Sequence, residues 1–261
     1  MRPPLATAVV AVLLLSAGCL GSSGPDRAPS DQRALDALDR ARTATSDLTS
    51  YRAVIDGRVV ASAEDEQVSF GIAGEVWVNA TTQRLNATGQ LVGGPQSGYG
   101  DGTSTTYIDG YTASIECSRI GWERQNLSQA EPWLTYGPIG QHLALMNRTE
   151  VYWRGTETVD GRNASVIVAY PTAEDIEAVD VRSVGMTDAI ESANVENITV
   201  KLWLDTATDL PIQVSRDVRA SQEGASTRAN GTYRFVGFDE PTPLAEPDID
   251  GTFWKSGCPG A

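Results

Sequence analysis

The sequence predicts a mainly β fold, in which an antiparallel sheet carries an N-terminal helix and one or two further helices on its apolar face. Strand-like runs separated by turn signals follow one another along most of the chain. Asp109-Gly110 and Asp160-Gly161 lie between such runs, where tight hairpins form. Three other segments show helical spacing, so each needs an apolar surface to cover.

The first element is an amphipathic helix that begins after Ser30, a candidate N-cap residue. Its small and apolar residues recur at the spacing of a helix, at Ala34, Leu35, Leu38 and Ala41. Leu48 is the last apolar member of this pattern.

Eleven strands are expected after this helix. They are predicted at residues 51–60, 66–79, 82–92, 103–109, 111–117, 119–126, 150–158, 162–170, 196–205, 211–220 and 228–238.

Asparagine gives the clearest functional pattern, because seven of the eight open an Asn-x-Ser/Thr sequon. These seven are Asn79, Asn86, Asn126, Asn147, Asn163, Asn197 and Asn230. The functional interpretation is N-glycosylation of an outward-facing domain. The alternative is that turn-favouring asparagines lie beside abundant threonine.

The sequons also assign faces, because a glycan must point to solvent and side chains alternate along a strand. With the sequon residues outward, the inward set is Val68, Phe70, Ile72, Val76 and Val78; Val166, Val168 and Tyr170; Ile198, Val200, Leu202 and Leu204; Tyr233 and Phe235. The expected sheet has one sugared polar face and one continuous apolar face.

Two later segments break the strand rhythm and are expected to be helical. The first, residues 129–146, carries Trp133, Leu134, Tyr136, Ile139, Leu143 and Met146. Gly137-Pro138 should kink or split it. The second, residues 172–193, begins with acidic residues after Pro171, as helices often do. We expect both to cover the inner face of the sheet.

The N-terminus predicts export and lipidation. An apolar run from Leu5 to Leu15 follows Arg2, which is typical of a secretory signal. Residues 16–19, Ser-Ala-Gly-Cys, resemble the lipobox of bacterial and archaeal lipoproteins. This resemblance implies removal of residues 1–18 and a lipid on Cys19 that anchors the chain to the outer face of the cell membrane. The alternative is an ordinary signal that happens to contain Cys19.

The expected organisation follows from these boundaries. Residues 19–30 form a flexible stalk, residues 31–250 form the β-rich domain, and residues 251–261 form a C-terminal tail.

The formal net charge of -14 excludes nucleic acid as a partner. Of the 20 basic residues only Lys201 and Lys255 are lysine. An acidic excess with arginine in place of lysine resembles exported proteins of salt-loving archaea. The alternative is a generic acidic extracellular domain.

Cysteine usage predicts a disulfide. If Cys19 carries lipid, Cys117 and Cys258 remain as an even pair in an oxidising compartment. The alternative is two buried free thiols.

No catalytic site, cofactor or metal site is expected. His142 is the single histidine and lies in the first of the two later helical segments. The chain has no Gly-x-Ser-x-Gly elbow, no phosphate-binding loop and no metal-spaced cluster of cysteine and histidine. Its acidic groups are typical of solvated turns and helix starts. The sequence therefore predicts a protein that is not an enzyme.

Three segments resemble the LolA, LppX/LprG and RseB/MucB group of lipoprotein-related domains. They are WLDTATDLPIQVS at 203–215, VYWRGTETVDGRNASVIVAY at 151–170 and YRFVGFDEPTPLAEPDI at 233–249. The resemblance implies a curved half-barrel of antiparallel strands whose concave apolar face is covered by helices, leaving a cavity for lipid. It implies no shared catalytic residues. The tail with Cys258 lies outside the pattern.

The expected function is binding or transport of a lipid or other hydrophobic ligand. The expected cavity residues are Phe70, Val76, Val78, Trp133, Tyr136, Leu143, Met146, Val168, Val200, Leu202, Tyr233 and Phe235. The interruption at Gly137-Pro138 suits a lid that moves. Two alternatives stay open at this point: the lid residues pack as ordinary core, or the domain is a cell-surface sensor or interaction module without ligand transfer.

Overall fold

The computed structural model describes residues 29–63, 66–93, 103–117, 121–130, 132–179, 194–222, 224–241, 244–249 and 253–254. The predictions for the signal segment, for Cys19 and for Cys258 lie outside the described residues and stay predictions.

The described residues form one mainly β domain with three α-helices and a short 3-10 helix. The helices are α1 Gln32–Ser46, α2 Pro138–Asn147 and α3 Ala173–Glu177, and the 3-10 helix is Trp133–Tyr136. The strands are β1 Ser50–Ala63, β2 Glu66–Asn79, β3 Arg84–Val92, β4 Thr103–Asp109, β5 Thr112–Glu116, β6 Trp122–Asn126, β7 Val151–Val159, β8 Arg162–Ala169, β9 Asn194–Asp205, β10 Pro211–Gln222, β11 Ala225–Val236 and β12 Phe253–Trp254.

All twelve strands belong to one curved, unclosed sheet in the order β12-β6-β5-β4-β3-β2-β1-β11-β10-β9-β8-β7. Neighbouring strands are antiparallel except β12, which pairs in parallel with β6. The pairing of β1 with β11 joins the meander β1 to β6 to the meander β7 to β11. The predicted strands agree with β1 to β11 to within three residues at each end. The two-residue strand β12 was not predicted.

One face of the sheet, here called the apolar face, carries most of the core. It presents Tyr51 and Ala53 of β1, Val76 and Val78 of β2, Val200 and Leu202 of β9, and Tyr233 and Phe235 of β11. The assignment from the sequons is confirmed for β2, β9 and β11.

The assignment is wrong for β8. Ile167 and Ala169 pair with Leu202 and Val200 on the apolar face, whereas Val168 pairs with Lys201 on the opposite face. All residues from 164 to 169 are buried, so neither face of this strand is marked as solvent-facing. Asn163 is exposed because it lies at the hairpin end of the strand.

The sequence predicts a polar opposite face, but this face also carries buried apolar residues. Ala164, Val166, Trp203 and Ile212 form a second, smaller buried cluster on it. The indole N–H of Trp203 donates a hydrogen bond to Glu157 at 2.8 Å.

Two cross-strand pairs of glycines lie in adjacent rows on the apolar face, Gly231 with Gly57 and Gly74 with Gly89, and permit close approach of the strands. A Cβ on Gly57 would lie 2.8 Å from the carbonyl oxygen of Asn230, and a Cβ on Gly74 would lie 2.6 Å from that of Thr88. Both oxygens belong to the neighbouring strand, so a side chain at either glycine requires the backbone to move. These glycines therefore allow the sheet to bend here.

The N-cap of α1 is Asp31, whose carboxylate accepts a hydrogen bond from the Arg33 N–H. Ser30 was the expected cap, but its hydroxyl accepts from the Val151 N–H instead and ties the chain to β7. The guanidinium of Arg33 lies 3.8 Å from the ring centroid of Trp153, so α1 packs beside β7.

The segment 129–146 is split at Gly137-Pro138, as predicted. Gly137 ends the 3-10 helix and precedes α2, and Pro138 is the first residue of α2. The ring of His142 packs edge-on against Tyr233 with centroids 4.7 Å apart. Helix α2 therefore lies on the apolar face.

The second predicted helical segment begins as a helix. Thr172 caps α3 through a capping box with Asp175. The helix covers only Ala173–Glu177, and residues 180–193 of the prediction lie outside the described residues.

Candidate functional site

The strongest candidate for a ligand site is a cavity of about 600 Å³ between α1, α2 and the 3-10 helix. Its walls are mostly apolar, and its volume falls within the range typical of small-molecule pockets. The lining residues are Arg42, Thr45, Ser46, Leu48, Thr49, Ala80, Thr81, Pro132, Trp133, Leu134, Thr135, Gly140, Leu143, Ala144 and Asn147. We call this cavity the helix pocket.

Four segments from three separate parts of the chain build the helix pocket. Leu48 follows the end of α1, and Ala80 lies in the turn between β2 and β3. The 3-10 helix supplies Trp133 and Leu134, and α2 supplies Leu143. The shape of the helix pocket therefore depends on how the helices pack on the sheet.

Trp133 is held in place by a hydrogen bond from its indole N–H to the Gly110 carbonyl at 2.7 Å. The bond satisfies the polar end of a buried ring and leaves its apolar surface for packing. The adjacent hydroxyl of Tyr136 donates to the Ser128 carbonyl. Both bonds attach the 3-10 helix to surrounding loops.

Gly140 allows α2 to pack directly on the 3-10 helix. A Cβ on Gly140 would overlap the Leu134 carbonyl, and it would lie 2.7 Å from the Thr135 Cα. A larger residue here would push the two helical segments apart. The shape of the helix pocket thus depends on a residue without a side chain.

The polar rim of the helix pocket includes Arg42 and Asn147. Arg42 donates to the Asn147 side-chain oxygen and forms an ion pair with Asp39 at 2.8 Å. Asn147 is also the asparagine of a predicted sequon and is exposed. A glycan at this position would stand at the mouth of the helix pocket.

The predicted cavity residues separate into three groups. Trp133 and Leu143 line the helix pocket. Those packed in the buried core are Val76, Val78, Met146, Val200, Leu202, Tyr233 and Phe235, with Tyr136 partly buried against them. Phe70 is half-buried farther along β2, and Val168 lies on the opposite face of the sheet.

The sequence analysis missed Leu48, Ala80, Leu134 and Ala144 as lining residues. Leu48 and Leu134 stood in the predicted apolar patterns, so a signal was present for them. Ala80 and Ala144 are small residues at turns and helix faces, and no sequence signal marks them as pocket residues.

A second cavity of about 380 Å³ lies over β1 to β4. It is lined by polar residues that include Asp56, Glu75 and Gln90, together with Val54 and Ala73. These side chains point away from the apolar face, because they alternate with Ile55 and Gly74 along their strands. The lining of this cavity is more polar than that of the helix pocket.

His142 and Tyr233 are buried titratable groups that face each other beneath α2. Burial lowers the pKa of His142 well below its usual value, and the nearby charge of Arg216 lowers it further. Its Nδ1 lies 2.6 Å from the Pro138 carbonyl and donates to it when the ring is neutral. Burial raises the pKa of Tyr233, so its hydroxyl stays protonated. Nothing in this arrangement activates a nucleophile.

The sequon residues differ in exposure. Asn126, Asn147, Asn163, Asn197 and Asn230 are exposed. Asn79 is half-buried and accepts a hydrogen bond from the Thr82 N–H at 3.0 Å. Asn86 is also half-buried, and its side-chain oxygen is enclosed without a hydrogen-bond partner.

Cys117 is buried at the end of β5, and Cys258 lies outside the described residues. Strand β12 nevertheless brings the C-terminal chain to this place, because Phe253 pairs with Trp122 of β6. Cys258 is four positions after Trp254 in the sequence, and four chain steps span at most about 14 Å. The disulfide between Cys117 and Cys258 stays a prediction.

Among the described residues, no group of three or more His, Cys, Asp or Glu could hold a metal ion. Within the same residues, no helix is both long enough and apolar enough to cross a bilayer.

No protein-family model and no curated protein matches this chain. Among solved structures, the lipoprotein LppX of Mycobacterium tuberculosis has 16% identity and a TM-score of 0.45, over 83% of this chain and 100% of that chain. LprF from Mycobacterium bovis has 11% identity and a TM-score of 0.45, over 84% of this chain and 99% of that chain. MucB of Pseudomonas aeruginosa, in complex with MucA, has 14% identity and a TM-score of 0.29, over 84% of this chain and 61% of that chain.

These similarities concern the fold alone and are at low identity. LppX and MucB are also members of the group of domains that three segments of this sequence resemble, and membership of this chain in that group stays a prediction. The origin in a salt-loving archaeon stays a prediction.

Proposed function

We propose that this chain is a membrane-anchored extracytoplasmic lipoprotein whose domain binds a lipid or another hydrophobic ligand. The observation that carries the proposal is the helix pocket, an apolar cavity of about 600 Å³. Each methylene group that a ligand buries there contributes about 0.8 kcal/mol.

In this proposal the sheet acts as a half-barrel whose concave face carries the helices. The contacts of His142 with Tyr233 and of Arg33 with Trp153 support it, because they seat α2 and α1 on the same face. The helices then form a layer above the sheet, and the helix pocket opens in that layer.

The pocket is tested by filling it with a side chain. Ala144 lines the helix pocket and is only partly buried, so Ala144→Trp places an indole in the cavity with little demand on the core. A fluorescent fatty-acyl ester, a probe without a free carboxylate, titrated into the full-length chain should bind the variant at least about tenfold more weakly, a loss of about 1.4 kcal/mol.

The matched control is Ala207→Trp, which adds the same side chain in the exposed turn between β9 and β10. This control should bind the probe as the unmodified protein does. Saturable binding that Ala144→Trp leaves unchanged would show that the helix pocket is not the ligand site. A lack of saturable binding by the unmodified protein would remove the proposed function.

The membrane anchor is tested separately through Cys19. Without a thiol, Cys19→Ser can take no lipid, so the chain should move from the detergent phase to the aqueous phase on phase separation. Continued detergent partitioning of this variant would contradict a lipid anchor at Cys19.

A second candidate function is an interaction module. Val68 and Leu91 are 40% and 54% exposed at the ends of β2 and β3, on the same side of the sheet as the core. Exposed apolar residues that form one patch are typical of a partner surface, and this candidate function requires Val68 and Leu91 to belong to such a patch. If the domain is an interaction module, Leu91→Ser should weaken its complex with a protein partner and leave probe binding unchanged. The ligand-binding proposal requires no protein partner.

A further inference from the structure

An arginine is buried in the apolar face without an ionic partner. Arg216 lies on β10 between Val214 and Val218 and is 8% exposed. Its Nε and Nη2 atoms are enclosed and make no hydrogen bond. Within the part of the chain that the structure describes, no carboxylate pairs with it. A buried guanidinium in this state is costly unless an anion joins it.

Two further polar groups without partners lie beside Arg216. Its guanidinium carbon is 5.4 Å from the ring centroid of Tyr233, whose buried hydroxyl makes no hydrogen bond. The Nε2 atom of His142, packed on the same Tyr233 ring, is also enclosed and unpaired. The three side chains come from β10, β11 and α2, so the fold brings them together.

The neighbour of Arg216 across the sheet is a glycine, so no side chain covers the sheet at this position. Arg216 pairs across the sheet with Gly231, and a Cβ added there would meet nothing nearer than the Asp56 carbonyl at 3.9 Å. Gly57 is the next residue in this row, on β1. Two consecutive positions beside the guanidinium therefore lack side chains.

The same row leads from Arg216 to solvent. It continues from Gly57 to the half-buried Ile72 and then to Leu91, which is 54% exposed. Four strand spacings of about 4.8 Å give this row a length of about 19 Å. Between Arg216 at its buried end and Leu91 at its exposed end, the row carries no polar side chain.

We propose that Arg216, together with the hydroxyl of Tyr233, binds the phosphate or carboxylate group of an amphiphilic ligand whose apolar part lies along the row to Leu91. The guanidinium supplies several charge-assisted donors, and the tyrosine supplies one more. Neutral His142 offers Nε2 as an acceptor for a hydroxyl group or water beside the anion.

This subsite goes beyond the helix pocket and is separate from it. The His142 side chain extends from α2 to the sheet, whereas Gly140 and Ala144 of the same helix line the helix pocket. The two sites can therefore be tested independently.

The test compares dodecyl phosphate, dodecanol and inorganic phosphate as probes of the full-length chain, by calorimetric titration and thermal unfolding. Arg216→Met replaces the cation with an apolar chain of similar length, and Arg216→Lys keeps the charge without the planar fork. The control is Arg219→Met, since Arg219 is 55% exposed on the same strand and pairs with Asp217.

Dodecyl phosphate should bind Arg216→Met about ten- to a hundredfold more weakly than the unmodified protein. Arg216→Lys should be intermediate, and Arg219→Met and Ala144→Trp should be unaffected. Without ligand, Arg216→Met should unfold at a higher temperature than the unmodified protein, because an unpaired buried charge has been removed.

Equal affinity of Arg216→Met for dodecyl phosphate would overturn the proposal. So would unfolding of ligand-free Arg216→Met at a lower temperature, since that result assigns Arg216 a structural role. If inorganic phosphate binds as tightly as dodecyl phosphate and depends on Arg216, the site takes a free anion and the amphiphile is wrong. If dodecanol binds and only Ala144→Trp weakens this binding, the result supports the helix pocket as the site for an uncharged ligand.

Discussion

The hydroxyl oxygen of Tyr51, on β1, accepts a hydrogen bond from the backbone N–H of Ile139 at 3.3 Å. Ile139 is the second residue of α2, so its N–H has no acceptor within the helix. The Tyr51 ring is buried with its edge against Phe235 of β11. A strand side chain thus fixes the start of the helix that forms one wall of the helix pocket.

Tyr51→Phe should lower the free energy of unfolding by about 1–2 kcal/mol, because the Ile139 N–H loses its partner in a buried place. Burial raises the pKa of the Tyr51 hydroxyl, so this group stays neutral across the accessible pH range. Urea denaturation of the two proteins measures the difference. Equal stability of the two proteins would show that another group accepts the hydrogen bond from the Ile139 N–H.

A double-mutant cycle with Gly137 tests the same contact. A Cβ on Gly137 would overlap the Tyr51 hydroxyl, but without that oxygen the nearest atoms are the ring Cζ at 3.4 Å and Val78 Cγ2 at 3.5 Å. Gly137→Ala should therefore cost about 1 kcal/mol less in the Tyr51→Phe background than in the unmodified protein. Additive costs would contradict the overlap.

Gly74→Ala should lower the free energy of unfolding by about 1–3 kcal/mol, because its Cβ would lie 2.6 Å from the backbone oxygen of Thr88. Gly89, its cross-strand partner, is the matched control. The nearest atom to a Cβ on Gly89 is the Ser104 hydroxyl at 3.6 Å, so Gly89→Ala should change stability by less than about 0.5 kcal/mol. Chemical denaturation of both variants decides whether the bend in the sheet requires Gly74.

The sequence predicts the strands well where one face of a strand is buried and the other is not. In β9 as far as residue 202, Ile198, Val200 and Leu202 are buried, while Asn197 on the other face is exposed. In β8, both faces are covered, so a single exposed residue at the strand end, Asn163, indicated the wrong face for Val168. The alternation of apolar and polar residues identifies the buried face of a strand only when one face contacts the protein core and the other contacts water.

The helix pocket could be predicted only in part, because long-range packing assembles it. Trp133 and Leu143 stood on a recognisable amphipathic segment interrupted by Gly137-Pro138. Ala80 reaches the pocket because the turn after β2 lies below the end of α1, a relationship that depends on the whole sheet. Arg216 was not singled out, because a lone arginine in a strand is ordinarily exposed.

Glycan occupancy should follow exposure. Peptide mapping of material from the native host should find glycans at the exposed residues Asn126, Asn147, Asn163, Asn197 and Asn230. Asn86 should be unoccupied, because its side-chain oxygen is enclosed in the folded sheet. An intact mass equal to polypeptide plus lipid would end the glycosylation hypothesis. Full occupancy at Asn86 would indicate transfer before folding.

Cys117 and Cys258 are expected to form a disulfide. Thiol labelling of the denatured, unreduced chain should leave both unlabelled, and two labelled cysteines would sink the prediction. Cys117→Ser should lower the unfolding temperature, since a closed loop of this size constrains the unfolded chain by up to about 5 kcal/mol. A reduced sample of the unmodified protein is the control.

The last prediction concerns pH and rests on His142, the single histidine of the chain. In the unfolded chain the imidazole takes up a proton below about pH 6.5. Burial lowers its pKa well below that value in the folded protein, and the charge of Arg216 on β10 adds to the effect.

The unfolded state of the unmodified protein therefore binds more protons just below pH 6.5. Its free energy of unfolding should fall as the pH falls from about 6.5, by up to about 1.4 kcal/mol per pH unit, and the contribution is fully present above that pH. His142→Leu should abolish this slope between about pH 6.5 and 5.5, above the range in which most carboxylates titrate. Urea denaturation at a series of pH values measures it, and an equal slope in both proteins would show that His142 is protonated in the folded state.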